Sequence, residues 1–79
     1  MLEKNLKHII KLTPGQVDQF VKEASKCDFD IDIYYNRFTV DAKSILGVFG
    51  LDLTKALTVD CHGFDEGFEN YLGSLATAC

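Results

Sequence analysis

The sequence predicts an α+β fold, an open-faced sandwich in which three helices lie on one face of a four-stranded, largely antiparallel sheet. The first observation behind this prediction is that segments with apolar residues at every second position alternate with segments whose apolar residues recur every three or four positions. The second is that the alternating segments are polar on one side only. The helices must therefore share the other side, and the predicted order is β-α-β-β-α-β-α.

Length and composition indicate a single globular domain over residues 1–79. The chain is 47% hydrophobic and 25% charged, which is ordinary for a folded protein and untypical of a disordered one. A formal net charge of −4, with the 8 Lys and Arg residues spread along the chain, argues against nucleic acid as a partner. A protein partner or a small anion is expected instead.

The sequence also predicts a cytoplasmic protein. No apolar run reaches the roughly 18 residues of a membrane span, and the opening MLEKNLKHIIKL interrupts its apolar residues too often for a secretory signal. The three cysteines, Cys27, Cys61 and Cys79, have no CxxC spacing, which fits reduced thiols. Cys27 and Cys61 are expected to be buried for structural reasons, Cys79 to be exposed, and neither a metal nor a cofactor is predicted.

The first strand is predicted from about Glu3 to Lys11, and the first helix begins at the segment LTPGQ. Thr13 can cap that helix, Pro14 suits its first position, and Gln16 completes a capping box. An apolar stripe at helical spacing follows, formed by Val17, Phe20, Val21 and Ala24. This stripe predicts the side of the helix that packs on the sheet.

The second and third strands are predicted to form a hairpin. From residue 29 to 35 the odd positions are apolar and face the helices. The even positions face water, namely Asp30, Asp32 and Tyr34. A tight turn at Asn36 and Arg37 leads into the third strand. A fourth alternating segment from residue 57 to 61 and a last helix from about residue 65 complete the fold.

The stretch KSILGVFGLDL places a serine before a short run that is apolar at almost every position. Ser44 is predicted to be the N-cap of a short helix, because its hydroxyl can accept a hydrogen bond from an unpaired amide of the first turn. Val48 and Leu51 suffice to pack this helix on the sheet. Three further apolar residues are then left facing outward: Ile45, Leu46 and Phe49. They indicate a docking patch for a partner protein, unless so small a domain needs them in its core.

The segment from Ala24 to Glu66, ASKCDFDIDIYYNRFTVDAKSILGVFGLDLTKALTVDCHGFDE, resembles the HPr family of the bacterial sugar phosphotransferase system. The resemblance rests on the helix and hairpin, on the K-S-I-x-G-V element with its following Leu, and on the closing x-G-x-D-E before the last helix. It implies the same open-faced sandwich.

The resemblance implies two phosphorylation sites, of which one is changed in this chain. In the family a histidine in a G-x-H-x-R-P element takes phosphate from enzyme I. In the low-GC Gram-positive lineages of the family, the serine before the short helix, here Ser44, is modified by an ATP-dependent HPr kinase/phosphorylase as a regulatory mark. The aligned stretch K-L-T-P-G-Q has Thr13 at the histidine position and Gly15 at the arginine position. A threonine phosphate ester is far less labile than a phosphoramidate, so histidine phosphocarrier activity is not expected. Neither His8 nor His62 aligns with the lost histidine, and His62 is expected at the opposite end of the domain from Ser44.

The resemblance thus implies a regulatory binding protein, not an enzyme, whose Ser44 is modifiable. Its surface would include Lys43, Ile45, Leu46 and Phe49, and its partners would be proteins of the phosphotransferase or catabolite-control system. Two alternatives stay open. One is an unmodified interaction module that uses the Ile45, Leu46 and Phe49 patch, with Ser44 as a helix cap only, and the other is a divergent phosphocarrier.

Overall fold

The computed structural model describes residues 6–76, which form four strands and three α-helices in the predicted order. The elements are β1 (Leu6–Ile10), α1 (Val17–Ser25), β2 (Ile31–Tyr35), β3 (Phe38–Asp41), α2 (Ile45–Phe49), β4 (Leu57–Cys61) and α3 (Glu66–Leu75). The strands pair in the order β1-β4-β2-β3, and every pair is antiparallel, which confirms the predicted fold. The predicted start of the first strand, residues 3–5, lies outside the described residues, as does Cys79.

The core lies between the sheet and the three helices, as the apolar patterns predict. Buried side chains occupy alternate positions of β2 and β4 and positions three or four apart in α1 and α3. Its largest members include Phe20, Phe68, Ile31, Ile33, Leu57, Leu72, Val48 and Val59. Full burial of a side chain of this size contributes about 1.5–3 kcal/mol, so packing is what holds the helices. None of the helices in the described part of the chain is long and apolar enough to cross a membrane.

The outer face of the sheet is polar, but some of its side chains are less exposed to solvent than the alternation predicts. Asp30 is exposed, whereas Asp32 and Tyr34 are only half-exposed. The register explains the difference, because Asp32 lies directly opposite Asp41 on one side and Asp60 on the other. Side chains on both flanking strands therefore cover part of this central strand.

The first helix begins with the predicted capping box, built on a 3₁₀ turn at Pro14–Gln16 that leads into α1. Gln16 Oε1 accepts a hydrogen bond from the Thr13 N–H at 2.9 Å, and the Gln16 N–H donates to the Thr13 carbonyl oxygen at 2.9 Å. The Thr13 hydroxyl lies in the box without forming a cap hydrogen bond of its own. The predicted position of the cap is therefore correct, but the side chain that forms the hydrogen bond is Gln16.

The β2–β3 turn is formed by Asn36 and Arg37, as predicted, and it connects the directly opposed residues Tyr35 and Phe38. Asn36 has a φ of 56°, in the left-handed region that asparagine adopts more readily than most residues. The side chain of Phe38 is 68% exposed. The turn therefore leaves an uncovered aromatic ring at this end of the sheet.

The predicted position of His62 is wrong. Because β2 is antiparallel to both β3 and β4, those two strands run in the same direction and finish at the same end of the sheet. The His62 N–H donates to the Asp30 carbonyl oxygen at 3.0 Å, and His62 Nε2 lies 3.2 Å from Asp32 Oδ2. The Ser44 N–H donates to the Asp41 carbonyl oxygen at the end of β3. His62 and Ser44 therefore lie at the same end of the sheet.

Candidate functional site

Ser44 lies between the end of β3 and the first turn of α2. Its backbone is extended (φ −106°, ψ 110°), and its Oγ accepts a hydrogen bond from the Gly47 N–H at 3.2 Å. Its carbonyl oxygen accepts a hydrogen bond from the Val48 N–H at 3.0 Å. Ser44 is therefore the N-cap of α2, as predicted. The amides of Ile45 and Leu46 belong to the first turn, where a helix supplies no acceptors of its own.

Gly47 leaves room around the serine hydroxyl where α2 packs on β3. A Cβ atom at this position would lie 3.3 Å from Ser44 Oγ and 3.2 Å from Val40 Cβ, which is closer than side chains normally approach. Glycine inside a helix costs about 1 kcal/mol relative to alanine. Its presence here keeps the Ser44 oxygen uncrowded.

Lys43 connects the start of α2 to the end of α1. Its Nζ donates to the Cys27 carbonyl oxygen at 2.8 Å, just beyond the last turn of α1. A cation is favourable at this point because the carbonyl end of a helix carries partial negative charge. The ammonium group is thus bound by a backbone carbonyl instead of lying free beside Ser44.

Asp41 places a negative charge close to the serine. Its Oδ1 accepts a hydrogen bond from the Lys43 N–H at 2.9 Å, and its carbonyl oxygen accepts one from the Ser44 N–H at 3.0 Å. A carboxylate bound to the amide of the preceding residue opposes an added phosphate on Ser44, whereas the amides of the first turn favour it. The electrostatic environment of Ser44 is therefore balanced, not strongly attractive to anions.

The α2 patch, defined as Ile45, Leu46 and Phe49, is exposed as predicted. The exposed fraction is 39% for Ile45, 82% for Leu46 and 47% for Phe49, while Val48 and Leu51 are buried. The alternative in which the three outward residues belong to the core is wrong. A group of exposed apolar side chains is typical of a protein-binding surface.

Thr13, at the position aligned with the lost histidine, lies toward the other end of the sheet from Ser44, where β1 ends and β4 begins. It is exposed, and so is Gly15. The surroundings of Gly15 are open, since the nearest atom to a Cβ placed there would be Thr13 Oγ1 at 4.0 Å. Residues 13–16 supply neither an imidazole nor a guanidinium, the two groups on which phosphotransfer through a histidine depends.

Each of the two histidines lies against a carboxylate. His8 Nε2 lies 2.7 Å from Glu69 Oε1 and connects β1 to α3. His62 Nε2 lies 3.2 Å from Asp32 Oδ2 across the ends of β4 and β2. Both imidazoles therefore lie within ion-pairing distance of a carboxylate.

Cys27 and Cys61 are buried, as the sequence predicts. Burial raises the pKa of both thiols, and it raises the pKa of Cys61 to about 12 with a further contribution from the Glu69 carboxylate. Since the thiolate is the reactive form of cysteine, both side chains are inert at neutral pH. In the stretch from residue 6 to residue 76, no group of three His, Cys, Asp or Glu side chains could hold a metal ion.

A cleft that the sequence did not predict lies at the C-terminal end of α2. It has a volume of about 280 Å³ and is lined by Tyr35, Phe38, Gly50, Leu51 and Asp52. Two of these residues oppose each other beside the β2–β3 turn, and the other three follow the last residue of α2. The strand register and the path of the chain after α2 bring them together, so no local motif indicates the cleft.

Known proteins share both the sequence pattern and the fold. The profile of a family described as "PTS HPr component phosphorylation site" matches residues 16–76, a range that begins after Thr13. The structure resembles that of the phosphocarrier protein HPr from Bacillus anthracis str. Ames, with a TM-score of 0.70 and 24% identity over 98% of this chain and 100% of that one. It also resembles HPr-C-His from Thermoanaerobacter tengcongensis, with a TM-score of 0.68 and 28% identity over 92% of this chain and 90% of that one.

Proposed function

Because this chain belongs to the HPr family of the phosphotransferase system, we propose that it is a regulatory binding protein of that system, with α2 as its docking surface and Ser44 as its switch. The observation that carries the proposal is a capping serine directly beside three exposed apolar side chains on one short helix. A phosphate on Ser44 Oγ adds a charge of about −1.5 to −2 at the edge of that surface. A partner can then distinguish the modified from the unmodified chain.

The local geometry allows the fold to keep a phosphate at Ser44. A phosphate oxygen can take over the hydrogen bond that the Gly47 N–H now donates to the hydroxyl. Lys43 can pair with the phosphate only by leaving the Cys27 carbonyl oxygen, and Asp41 repels it. The expected effect of modification is therefore a change of charge at the α2 surface and not a change of fold.

The proposal includes the loss of phosphotransfer through a histidine. Thr13 and Gly15 replace the imidazole and the guanidinium of the family's active site. His8 and His62 each lie against a carboxylate, which would repel a phosphate. The chain would therefore bind proteins of the phosphotransferase system without carrying phosphate on an imidazole.

Intact-mass spectrometry tests the switch. The chain is incubated with ATP and an HPr kinase/phosphorylase, with Ser44→Ala in parallel and a histidine-bearing HPr as the positive control. We expect one phosphate on the wild-type chain and none on Ser44→Ala. An unmodified wild-type chain, under conditions that phosphorylate the control, would contradict the role of Ser44.

A second incubation tests the loss of phosphotransfer. The chain is mixed with phosphoenolpyruvate and enzyme I, again beside a histidine-bearing HPr. We expect phosphate on the control protein only. An acid-labile phosphate on this chain would instead favour the divergent phosphocarrier.

A second candidate function is an unmodified interaction module that occupies phosphotransferase partners through the α2 patch. Two observations favour it: the Ser44 hydroxyl already caps α2, and the Lys43 ammonium group is held by the Cys27 carbonyl oxygen. The two functions differ in how binding responds to charge at residue 44. Equal affinity of enzyme I for the wild-type chain and Ser44→Asp would favour the module, and unequal affinity would favour the switch.

A further inference from the structure

The cleft at the end of α2 continues the α2 patch toward the β2–β3 turn. Phe49 is the last residue of α2 and is 47% exposed, and Gly50 and Leu51 lead from it directly into the wall of the cleft. Phe38, which is 68% exposed, contributes to the lining from the turn. The cleft therefore begins where the exposed end of the α2 patch stops along the chain.

The size of the cleft limits what can occupy it. Pockets for small molecules have volumes of about 300–1,000 Å³ and enclose most of the ligand. The present cleft has a volume of about 280 Å³, is open to solvent and has two aromatic residues in its lining. It therefore suits one long side chain of a bound protein better than a whole small molecule.

Asp52 gives the cleft a fixed negative charge. Its Oδ1 accepts hydrogen bonds from the Thr54 hydroxyl at 2.6 Å and the Thr54 N–H at 3.1 Å, and Oδ2 takes no part in either. These hydrogen bonds lower the pKa of Asp52 below its ordinary value, with a smaller contribution from Lys55. None of the ion pairs within the described range 6–76 involves Asp52, Lys55 or Arg37. The carboxylate is thus ionised and free to pair with a cation from outside.

We propose that the cleft binds an arginine side chain of the partner protein, with the guanidinium group against the aromatic rings and on the Asp52 carboxylate. Arginine fits better than lysine because its planar group stacks on aromatic faces and forms directed hydrogen bonds to a carboxylate. An apolar or acidic side chain would leave the charge of Asp52 unpaired. The inference rests on the proposed function, since it extends the α2 docking surface and gives the partner an arginine beside its apolar contact residues.

An NMR titration tests the arginine site without any partner protein. The ¹⁵N-labelled chain is titrated with millimolar acetyl-Leu-Arg-Leu-amide and, separately, with acetyl-Leu-Gln-Leu-amide. We expect the arginine peptide, and not the glutamine peptide, to shift the amide signals of Phe38, Gly50 and Asp52. Asp52→Asn keeps the acceptor for Thr54 but removes the charge, and it should weaken binding about two- to fivefold, as expected for an exposed ion pair.

Two phenylalanines of equal exposure provide a matched control. Phe38 is 68% exposed, and Phe64, in the connection between β4 and α3 at the other end of the sheet, is 67% exposed. Phe38→Ser should weaken binding of the arginine peptide, whereas Phe64→Ser should leave it unchanged. Equal shifts from the two peptides, or shifts centred away from the cleft, would overturn the proposal.

A separate measurement distinguishes failure of this inference from failure of the proposed function. The affinity of enzyme I for Leu46→Ser depends on the α2 patch and not on Asp52. If the peptide does not bind but Leu46→Ser weakens enzyme I binding, only the arginine site is refuted. If the peptide binds in the cleft but Leu46→Ser has no effect, the docking role of the α2 patch is refuted.

Discussion

The oxygen atom of Ser44 that would carry a phosphate is the same atom that caps α2. It accepts a hydrogen bond from the Gly47 N–H at 3.2 Å, so modification has to preserve an acceptor at this point. A phosphate ester does so because it has three further oxygens. At the scale of one residue, capping and regulation are therefore compatible, and the two roles can be separated by substitution.

Substitution of Ser44 should affect stability only when the acceptor is lost. Ser44→Ala removes the cap and should lower the free energy of unfolding by about 1 kcal/mol. Ser44→Asp keeps an acceptor oxygen and should stay within a few tenths of a kcal/mol of the wild type. Urea denaturation measures both, and equal stability of the alanine variant and the wild type would show that the cap contributes nothing.

Single residues also show where prediction from the sequence stops. The cap at Ser44 follows from one hydroxyl before an apolar run, and the exposure of Leu46 follows from helical spacing, so both are local. The bond from Lys43 Nζ to the Cys27 carbonyl oxygen joins residues 16 positions apart, at the ends of two different helices. Its formation depends on how α1 and α2 lie beside each other, which no local pattern contains.

Among the elements, α2 is the one that tertiary packing must hold. It has five residues, far fewer than the roughly 12–15 that an isolated helix needs to be even marginally stable in water. Val48 inside the helix and Leu51 just after it are its buried anchors. The rest of its apolar surface is therefore available to a partner.

The glycines of α2 and α3 should respond differently to alanine. Nothing lies within 4 Å of a Cβ placed at Gly73 in α3, so Gly73→Ala should stabilise the protein by about 1 kcal/mol through helix propensity alone. A Cβ at Gly47 would lie 3.2 Å from Val40 Cβ, and Gly47→Ala should therefore gain nothing or lose stability. Thermal unfolding of the two variants measures this difference, and an equal gain in both would contradict the crowding at Gly47.

The helices and strands could be predicted from the sequence. Which of their ends lie together at each end of the sheet could be predicted only in part. Apolar residues recur at helical spacing in α1 and at every second position in β2 and β4, because one face of each element is buried. Such burial leaves a periodic pattern in the sequence. The error over His62 arose from strand order. Pairing of β4 with β1 alone does not show where β3 finishes, whereas the observed order β1-β4-β2-β3 brings the ends of β3 and β4 together.

At the scale of the whole molecule, Thr13 and Ser44 lie apart, and the proposed docking surface runs between the two ends of the sheet. Thr13 lies toward one end of the sheet, and Ser44 lies at the other. The α2 patch and the cleft extend from Ser44 toward the β2–β3 turn. Because β1 and β2 are both antiparallel to β4, this turn lies at the end of the sheet toward which Thr13 lies, so the proposed docking surface extends from the Ser44 end toward the Thr13 end.

The stability of the whole protein should fall in alkaline solution. The pKa of Cys61 is raised from an ordinary value near 9 to about 12 in the folded state. Between these values the unfolded chain releases the thiol proton and the folded chain keeps it, so the unfolded state is favoured as the pH rises. The free energy of unfolding should drop by up to about 1.4 kcal/mol per pH unit in this window.

Comparison with Cys61→Ala isolates this effect. Cys27 and Tyr71, whose pKa values are also raised by burial, act in the same direction and remain in the variant. Urea denaturation at several pH values above 9, under reducing conditions, should give a shallower decline for Cys61→Ala than for the wild type. Identical slopes would contradict the assignment of the effect to Cys61.

The affinity of enzyme I for Leu46→Ser, compared with the wild type, tests the central claim that the α2 patch is the docking surface. Leu46 is 82% exposed, so its replacement should leave the fold unchanged. We expect binding to weaken about tenfold or more, as for an apolar contact residue at the centre of an interface, while Ile9→Ser, at a 55% exposed position of the opposite edge strand β1, binds like the wild type. Equal affinities for Leu46→Ser and the wild type would contradict the account.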